Sequence, residues 1–211
     1  RHPEPERCIL FHSRFAMIDR QAIESAVIAR FGKMSTEQDR RGWVLISTQV
    51  FQESLDCDAD RMISDIAPID LLIQRAGRLQ RHARGARAAA RLQVLAPGWT
   101  DTPDAEWVTR VLPGTQAVYR DTALLWLTQR VLRSEGVIKL PERARTLIES
   151  VYGAVGETIP DDLLTGRYEQ ISQQRMAGSM ATFNALSLDD GYCRDLDFDP
   201  WQQERDIGTG L

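Results

Sequence analysis

Residues 44–82, VLISTQVFQESLDCDADRMISDIAPIDLLIQRAGRLQRH, constrain this chain more than any other stretch. Two short apolar runs, at 44–47 and 62–64, each pass into polar residues, and the second is soon followed by an arginine-rich segment with helical spacing. Runs this short are strand-length rather than helix-length. The pattern predicts two strands of a parallel α/β sheet. It places functional residues at their carboxyl ends, where open α/β sheets bind ligands.

The rest of the chain extends that reading. The apolar run at 8–11 predicts a first strand ending at His12-Ser13-Arg14. Residues 16–31 predict a helix whose apolar face carries Ile18, Ala22, Ala26 and Ala29, widened by Ile23, Val27 and Phe31. Ser13 is a candidate cap and Gly32 a natural stop. Residues 33–42 read as a polar link, 43–47 and 62–64 as the second and third strands, and 49–60 as too irregular for a buried strand. Pro68 suits a first helical turn. Ile69, Leu72, Ile73 and Ala76 then share one side, and Gln74, Arg75 and Arg78 the other. A fourth strand is expected at 92–95. Strands joined by such crossovers imply a parallel sheet. Beyond residue 98 the character changes: a loop at 100–114, then helices at 122–134, from Pro141 onward, and from 160 to about 186. The end, 187–211, is an acidic tail or linker.

Composition narrows the class. The 211 residues carry a formal charge of −4, so no globally basic nucleic-acid coat is present, although Arg75, Arg78, Arg81, Arg84, Arg87 and Arg91 form a local basic run. No stretch approaches a membrane span, and no secretory leader is visible. Cys8, Cys57 and Cys193 fit neither a disulfide framework nor a CxxC metal site; they read as free thiols of a cytoplasmic protein. The three scattered histidines give no metal site.

Three groups of residues carry candidate chemistry. In Gln74-Arg75-Ala76-Gly77-Arg78-Leu79-Gln80-Arg81, arginines three apart on a helix can reach one anion together. Phosphoryl transfer uses such fixed positive charge where negative charge develops. By spacing alone, a solvated basic helix continuing into Arg84 and Arg87 accounts for it better. The segment from Ser47 to Asp56 offers hydroxyls, amides and two carboxylates just beyond a strand, suited to a nucleic-acid backbone or a ribose, or simply to a capped polar loop. His12-Ser13-Arg14 is the third group. A triad of Ser47, His12 and Asp56 is set aside, because no GxSxG elbow exists.

Taken together, these segments resemble the second RecA-like domain of superfamily-two helicases: FHSRF resembles motif IV, STQVFQESLD motif V and QRAGRLQR motif VI. The longer run ISTQVFQESLDCDADRMISDIAPIDLLIQRAGRLQRH resembles the CRISPR-associated helicase–nuclease of type I systems, and LLWLTQRVL and LPERARTLIESVYG resemble that family's region beyond motif VI. The resemblance implies an α/β fold, a RecA-like parallel sheet domain with a carboxyl-terminal helical extension. Residues 1–98 would form the helicase domain core, 99–186 the extension, and 187–211 the tail. It implies that Arg78 and Arg81 approach the ATP γ-phosphate, that Gln74 lies near the interdomain cleft, and that Asp56 lies near the ribose. Thr48, Gln49 and Gln52 would face the backbone of single-stranded DNA, Ser13 and Arg14 would border its path, and Glu53 would brace the loop.

The chain departs from the complete family pattern. It has no GxxxxGK[ST] loop, no Asp-Glu-x-His box and no paired His-Asp array. The resemblance implies that ATP and Mg are bound mainly by a first RecA-like domain, that a nuclease domain also lies upstream of Arg1, and that a further domain lies beyond Leu211. The expected partners are those domains, single-stranded DNA and an RNA-guided surveillance complex. The expected role is one part of an ATP-dependent DNA translocase, inactive alone. The competing expectations are an adaptor that keeps the half-fold for binding, and another superfamily-two enzyme.

Overall fold

The computed structural model describes residues 4–51, 55–154, 159–164, 166–168, 171, 172 and 176. All four expected strands form. β1 (Cys8–Phe11) runs parallel to β2 (Val44–Ser47), with Cys8 beside Val44 and Phe11 beside Ser47. β3 (Arg61–Asp65) runs parallel to β4 (Arg91–Leu95), with Arg61 beside Arg91 and Asp65 beside Leu95. Short Ile, Leu and Val runs favour this outcome, because branched side chains pack well on a pleated surface.

The helix α1 (Met17–Phe31) connects β1 to β2. Its inner stripe is Ile23, Val27 and Phe31, which joins Phe11, Val50, Leu55 and Cys57 in one core. The alanine-lined face expected to share that burial is exposed, and Ile18 is 77% exposed. Larger side chains remove more apolar area from water than alanine, so they decide which stripe turns inward. Ser13 does not cap the helix; Ala16 occupies that position without a side-chain bond. Within the expected polar link, Thr36 and Asp39 form a reciprocal capping box around the single turn α2 (Glu37–Arg40).

After β3, Pro68 leads into α3 (Ile69–Ala76), whose Ile69 and Leu72 are buried. This helix stops at Ala76, with Gly77 N–H donating to the Ile73 carbonyl. Arg78 and Arg81 therefore lie beyond the helix and not on its faces, which corrects the helical geometry expected for the pair.

The extension contains α4 (Pro113–Val118), α5 (Thr122–Glu135) and α6 (Ala144–Tyr152). The expected loop at 100–114 ends in α4, whose first residue is Pro113, a position where the missing N–H costs nothing. Asp121 caps α5 by accepting from Leu124 N–H at 3.0 Å. The helix expected from Pro141 begins at Ala144. Leu125 and Leu127 of α5, Leu147 and Val151 of α6, and Leu163 pack with Ile69 of α3 into a second core. Polar ties reinforce this joint: Tyr152 Oη donates to Asp70 at 2.6 Å, Arg75 donates to Tyr119 Oη at 2.7 Å and Ser64 Oγ at 2.6 Å, and Thr115 Oγ1 donates to Asp65 at 3.1 Å. Most of the expected helix beyond 168, and all of the tail at 187–211, fall outside the described residues.

One feature of the strands runs against the usual parallel sheet, which is covered on both faces. Leu10, Ile46, Ile63 and Leu95 are each at least half exposed.

Candidate functional site

The segment Asp56-Cys57-Asp58-Ala59-Asp60 enters β3 in an extended conformation, so its three carboxylates alternate with apolar residues. The segment leaving α3 runs beside it. Ala59 N–H donates to the Arg78 carbonyl and Gln80 N–H donates to the Ala59 carbonyl, both at 2.9 Å. Gln80 takes a positive φ of 46°, uncommon for a residue with a side chain, and the chain turns there.

Acids and arginines then engage in register. Arg81 Nε lies 2.8 Å from Asp56 Oδ1, with both side chains about half exposed. Arg84 Nε donates to Asp58 at 2.6 Å and Arg87 Nη1 donates to it at 2.9 Å. Arg87 also reaches Asp60 at 3.3 Å, where Arg40 Nε donates at 2.9 Å. Arg84 further donates to the Ser35 and Gly32 carbonyls, tying the strap to the end of α1.

Asp58 is the centre of this arrangement. It is fully buried and also accepts from the backbone N–H groups of Arg81 and His82, at 3.1 and 3.3 Å. Burial alone would raise its carboxyl pKa. Hydrogen bonds from Arg87 and Arg84 outweigh burial and hold it below the ordinary value. Cys57 faces the other way, into the core; burial pushes its thiol up to about 11, partly offset by the positive charge of Arg78 nearby. It is a neutral core residue at physiological pH.

The residues expected at the DNA path form a separate corner. Thr48 N–H donates to the Phe11 carbonyl at 3.3 Å, so the carboxyl ends of β1 and β2 meet there. Ser13, Arg14 and Thr48 are exposed, and Gln49 is half-buried. His12 stacks on Phe15 at 4.1 Å, and its Nδ1 accepts from Arg14 N–H. Gln52 and Glu53 lie outside the described residues.

The candidate residues thus fall into two groups at opposite ends of the strands. The corner obeys the expected carboxyl-end placement. Asp56, Arg78 and Arg81 do not: they sit beside Ala59, just before the amino-terminal end of β3. Gln74 is exposed in the last turn of α3, apart from both groups in the chain. Ser47, His12 and Asp56 form no triad. Ser47 Oγ donates to the Thr48 carbonyl, and Asp56 pairs with Arg81. His82 Nε2 also approaches Asp56 to 3.4 Å without making a hydrogen bond. The solvated basic helix through Arg84 and Arg87 is also overturned, because both guanidiniums are buried against Asp58. The sequence reading missed Asp58. The signal was the alternation of acids at 56, 58 and 60 against arginines at 81, 84 and 87.

Chemically, the strap between residues 78 and 87 offers the half-exposed guanidinium of Arg81 on a main chain fixed at two points. Arg78 is anchored through its carbonyl one turn away. Such a donor set fits phosphate oxygens, which accept the fork of a guanidinium. Among the described residues, no group of three or more His, Cys, Asp or Glu side chains is placed to hold a metal ion. Cys8 and Cys57 are free, and among the described residues no helix is long and apolar enough to cross a membrane.

Comparison with known proteins converges on one family. Residues 1–84 match the family model described as CRISPR-associated nuclease/helicase Cas3, C-terminal. The CRISPR-associated endonuclease/helicase Cas3 of Thermus thermophilus is 34% identical over 185 residues, which are 85% of this chain and 19% of that protein. The crystal structure of T. fusca Cas3-AMPPNP superposes with a TM-score of 0.71 at 33% identity, over 85% of this chain and 20% of that one. A chain of a CRISPR RNA-guided surveillance complex, pre-nicking, matches with a TM-score of 0.67 at 33% identity, over 85% and 22%. The chain spans about a fifth of the length of these relatives. Their fold agrees with an α/β RecA-like assignment.

Proposed function

The chain belongs, over the segment it spans, to the Cas3 family of CRISPR-associated nuclease/helicases, and from that premise we propose that it works as the second motor domain of an ATP-dependent translocase on single-stranded DNA. The observation that carries this reading is the strap at 78–87, which presents two arginines from a main chain pinned to Asp58 and Ala59. Bound ATP supplies the triphosphate whose terminal phosphoryl group gathers negative charge during transfer. Arg78 and Arg81 place positive charge toward it, and Asp56 releases Arg81 for that contact. Asp56 then serves the ribose side of the nucleotide, and Gln74 the cleft between domains. ATP and Mg are held mainly by a first RecA-like domain, so this chain alone has little or no turnover.

The corner of Ser13, Arg14, Thr48 and Gln49, with Gln52, contacts the DNA backbone in this reading. Hydroxyls, amides and one arginine suit a sugar-phosphate track read without base specificity. Delivery to DNA by an RNA-guided surveillance complex of a type I system is supported by the relative found in such a complex.

The test is ATP turnover stimulated by single-stranded DNA after the first RecA-like domain is added back. Arg78→Ala is expected to lower turnover by about 10²-fold or more with the fold retained, as when a donor to transition-state charge is removed. Turnover within about threefold of the parent in the folded variant sinks the assignment.

A further inference from the structure

The function proposed above leaves Arg84 and Arg87 of the basic run unused, and both line a cleft. A cavity of about 540 Å³ opens between the α2 turn, the start of β3 and the 84–88 loop. Its wall carries Arg40, Arg41, Arg61, Arg84 and Arg87 against the carboxylates of Glu37 and Asp60. Asp58 lies beneath, so five guanidiniums face three carboxylates in a chain whose overall charge is −4.

The arginines divide into two kinds. Arg40, Arg84 and Arg87 are buried and committed to Asp58 and Asp60, which makes the wall rigid. Arg61 is exposed at the first residue of β3, and its neighbour in the register is Arg91, the exposed first residue of β4. Their side chains leave the same face about 4.8 Å apart at the backbone. Like charges side by side on a sheet are unfavourable. Among the described residues neither has an ion-pair partner. Arg41 adds a third charge, paired only with Glu37 on the surface, where both are largely exposed. Such a pair holds weakly against a competing anion. A concave site with excess charge of one sign concentrates its counter-ion.

We propose that this cleft, with Arg61 in its wall, Arg91 beside Arg61 on the neighbouring strand and Arg41 on its rim, is a binding site for the backbone phosphates of a nucleic-acid strand. It is separate from the corner at Arg14 and Thr48. The cleft lies before the amino-terminal end of β2 and the corner after its carboxyl end, so four residues of strand, about 13 Å, lie between them. The inference needs the chain to meet nucleic acid, but it does not need the assigned roles of Arg78 and Arg81. Neutral sugar or base contacts are secondary here; the recognised chemistry is phosphate oxygen on guanidinium, which carries salt dependence rather than sequence preference.

The experiment measures binding of a labelled oligodeoxythymidylate to the 211-residue chain by fluorescence anisotropy across a series of salt concentrations. Arg61→Ser with Arg91→Ser removes two charges. It is expected to weaken binding and to reduce the slope of log K against log salt by about 1.4, since each contact on a single strand contributes about 0.7. The charge-preserving pair Arg61→Lys with Arg91→Lys should keep the parent slope. Arg14→Ser acts on the corner and should weaken binding with the cleft intact. In the unaltered chain, the oligonucleotide should protect Arg61 and Arg91 from an arginine-specific dicarbonyl, read residue by residue by mass spectrometry. That readout stands even if a serine variant fails to fold. An unchanged slope in the folded serine pair, absence of protection, or absence of oligonucleotide binding by the parent chain overturns the cleft. If Arg78→Ala spares turnover while the slope still changes, the motor reading fails and the cleft stands.

Discussion

Asp58 shows how one side chain can hold a loop in place. It accepts from two backbone amides and two guanidiniums while fully buried, so every partner depends on its charge. Asp58→Asn keeps the shape and removes the charge, leaving Arg84 buried without an ion pair and Arg87 with Asp60 alone at 3.3 Å. Breaking a buried pair from one side costs about 3–5 kcal/mol, and urea unfolding of the variant should show a loss of that order. The pH dependence has a defined sign. The folded carboxyl sits below its unfolded value near 4. Its contribution is therefore complete above about pH 4 and disappears as the pH falls through the folded value. The stability gap between parent and variant should narrow on acidification through that window; a gap that widens there contradicts the assignment. The partner set at this residue was only half legible in the sequence. The alternation of acids was visible, but pairing them with residues some 25 positions away depends on how α3 returns the chain, which no local pattern encodes. Spacing alone placed Arg78 and Arg81 on a helix that ends too early, at Ala76.

At the scale of elements, strands were the most legible part because each is a short apolar run bounded by polar or breaking residues. Helix faces were less so. In α1, periodicity admits two stripes, and only side-chain volume chooses between them. The turn α2 and helix α4 are too short for periodicity to register, and their caps, Thr36 with Asp39 and Pro113, were the available signals. The contact of α3 with α5 and α6 ties the extension to the strap. Leu147 is 1% exposed in that core, and Leu147→Ala should destabilise the chain by about 2–5 kcal/mol in denaturant unfolding. Tyr152→Phe removes only the hydrogen bond to Asp70 and should cost about 0.5–1.5 kcal/mol. Equal losses in the two variants contradict a joint held mainly by apolar packing.

At the scale of the molecule, the parallel strands keep apolar side chains in water at Leu10, Ile46, Ile63 and Leu95. Exposed apolar patches promote association. The 211-residue chain is expected to self-associate with rising concentration, and Ile46→Thr with Ile63→Thr should shift it toward monomer in sedimentation while leaving the unfolding midpoint nearly unchanged. An unaltered distribution of species in that variant rules these strand residues out as the cause. Charge acts over a longer range than contact. With an overall charge of −4, the chain repels an approaching anion until it comes within reach of the local arginines. At Arg81 that anion meets Asp56, which already engages the guanidinium through Nε. Binding there is an exchange of one anion for another. A singly charged newcomer gains almost nothing from the swap, whereas a multiply charged one does. If Arg81 meets phosphate as proposed, the resting ion pair favours a ligand of higher valence over a singly charged one.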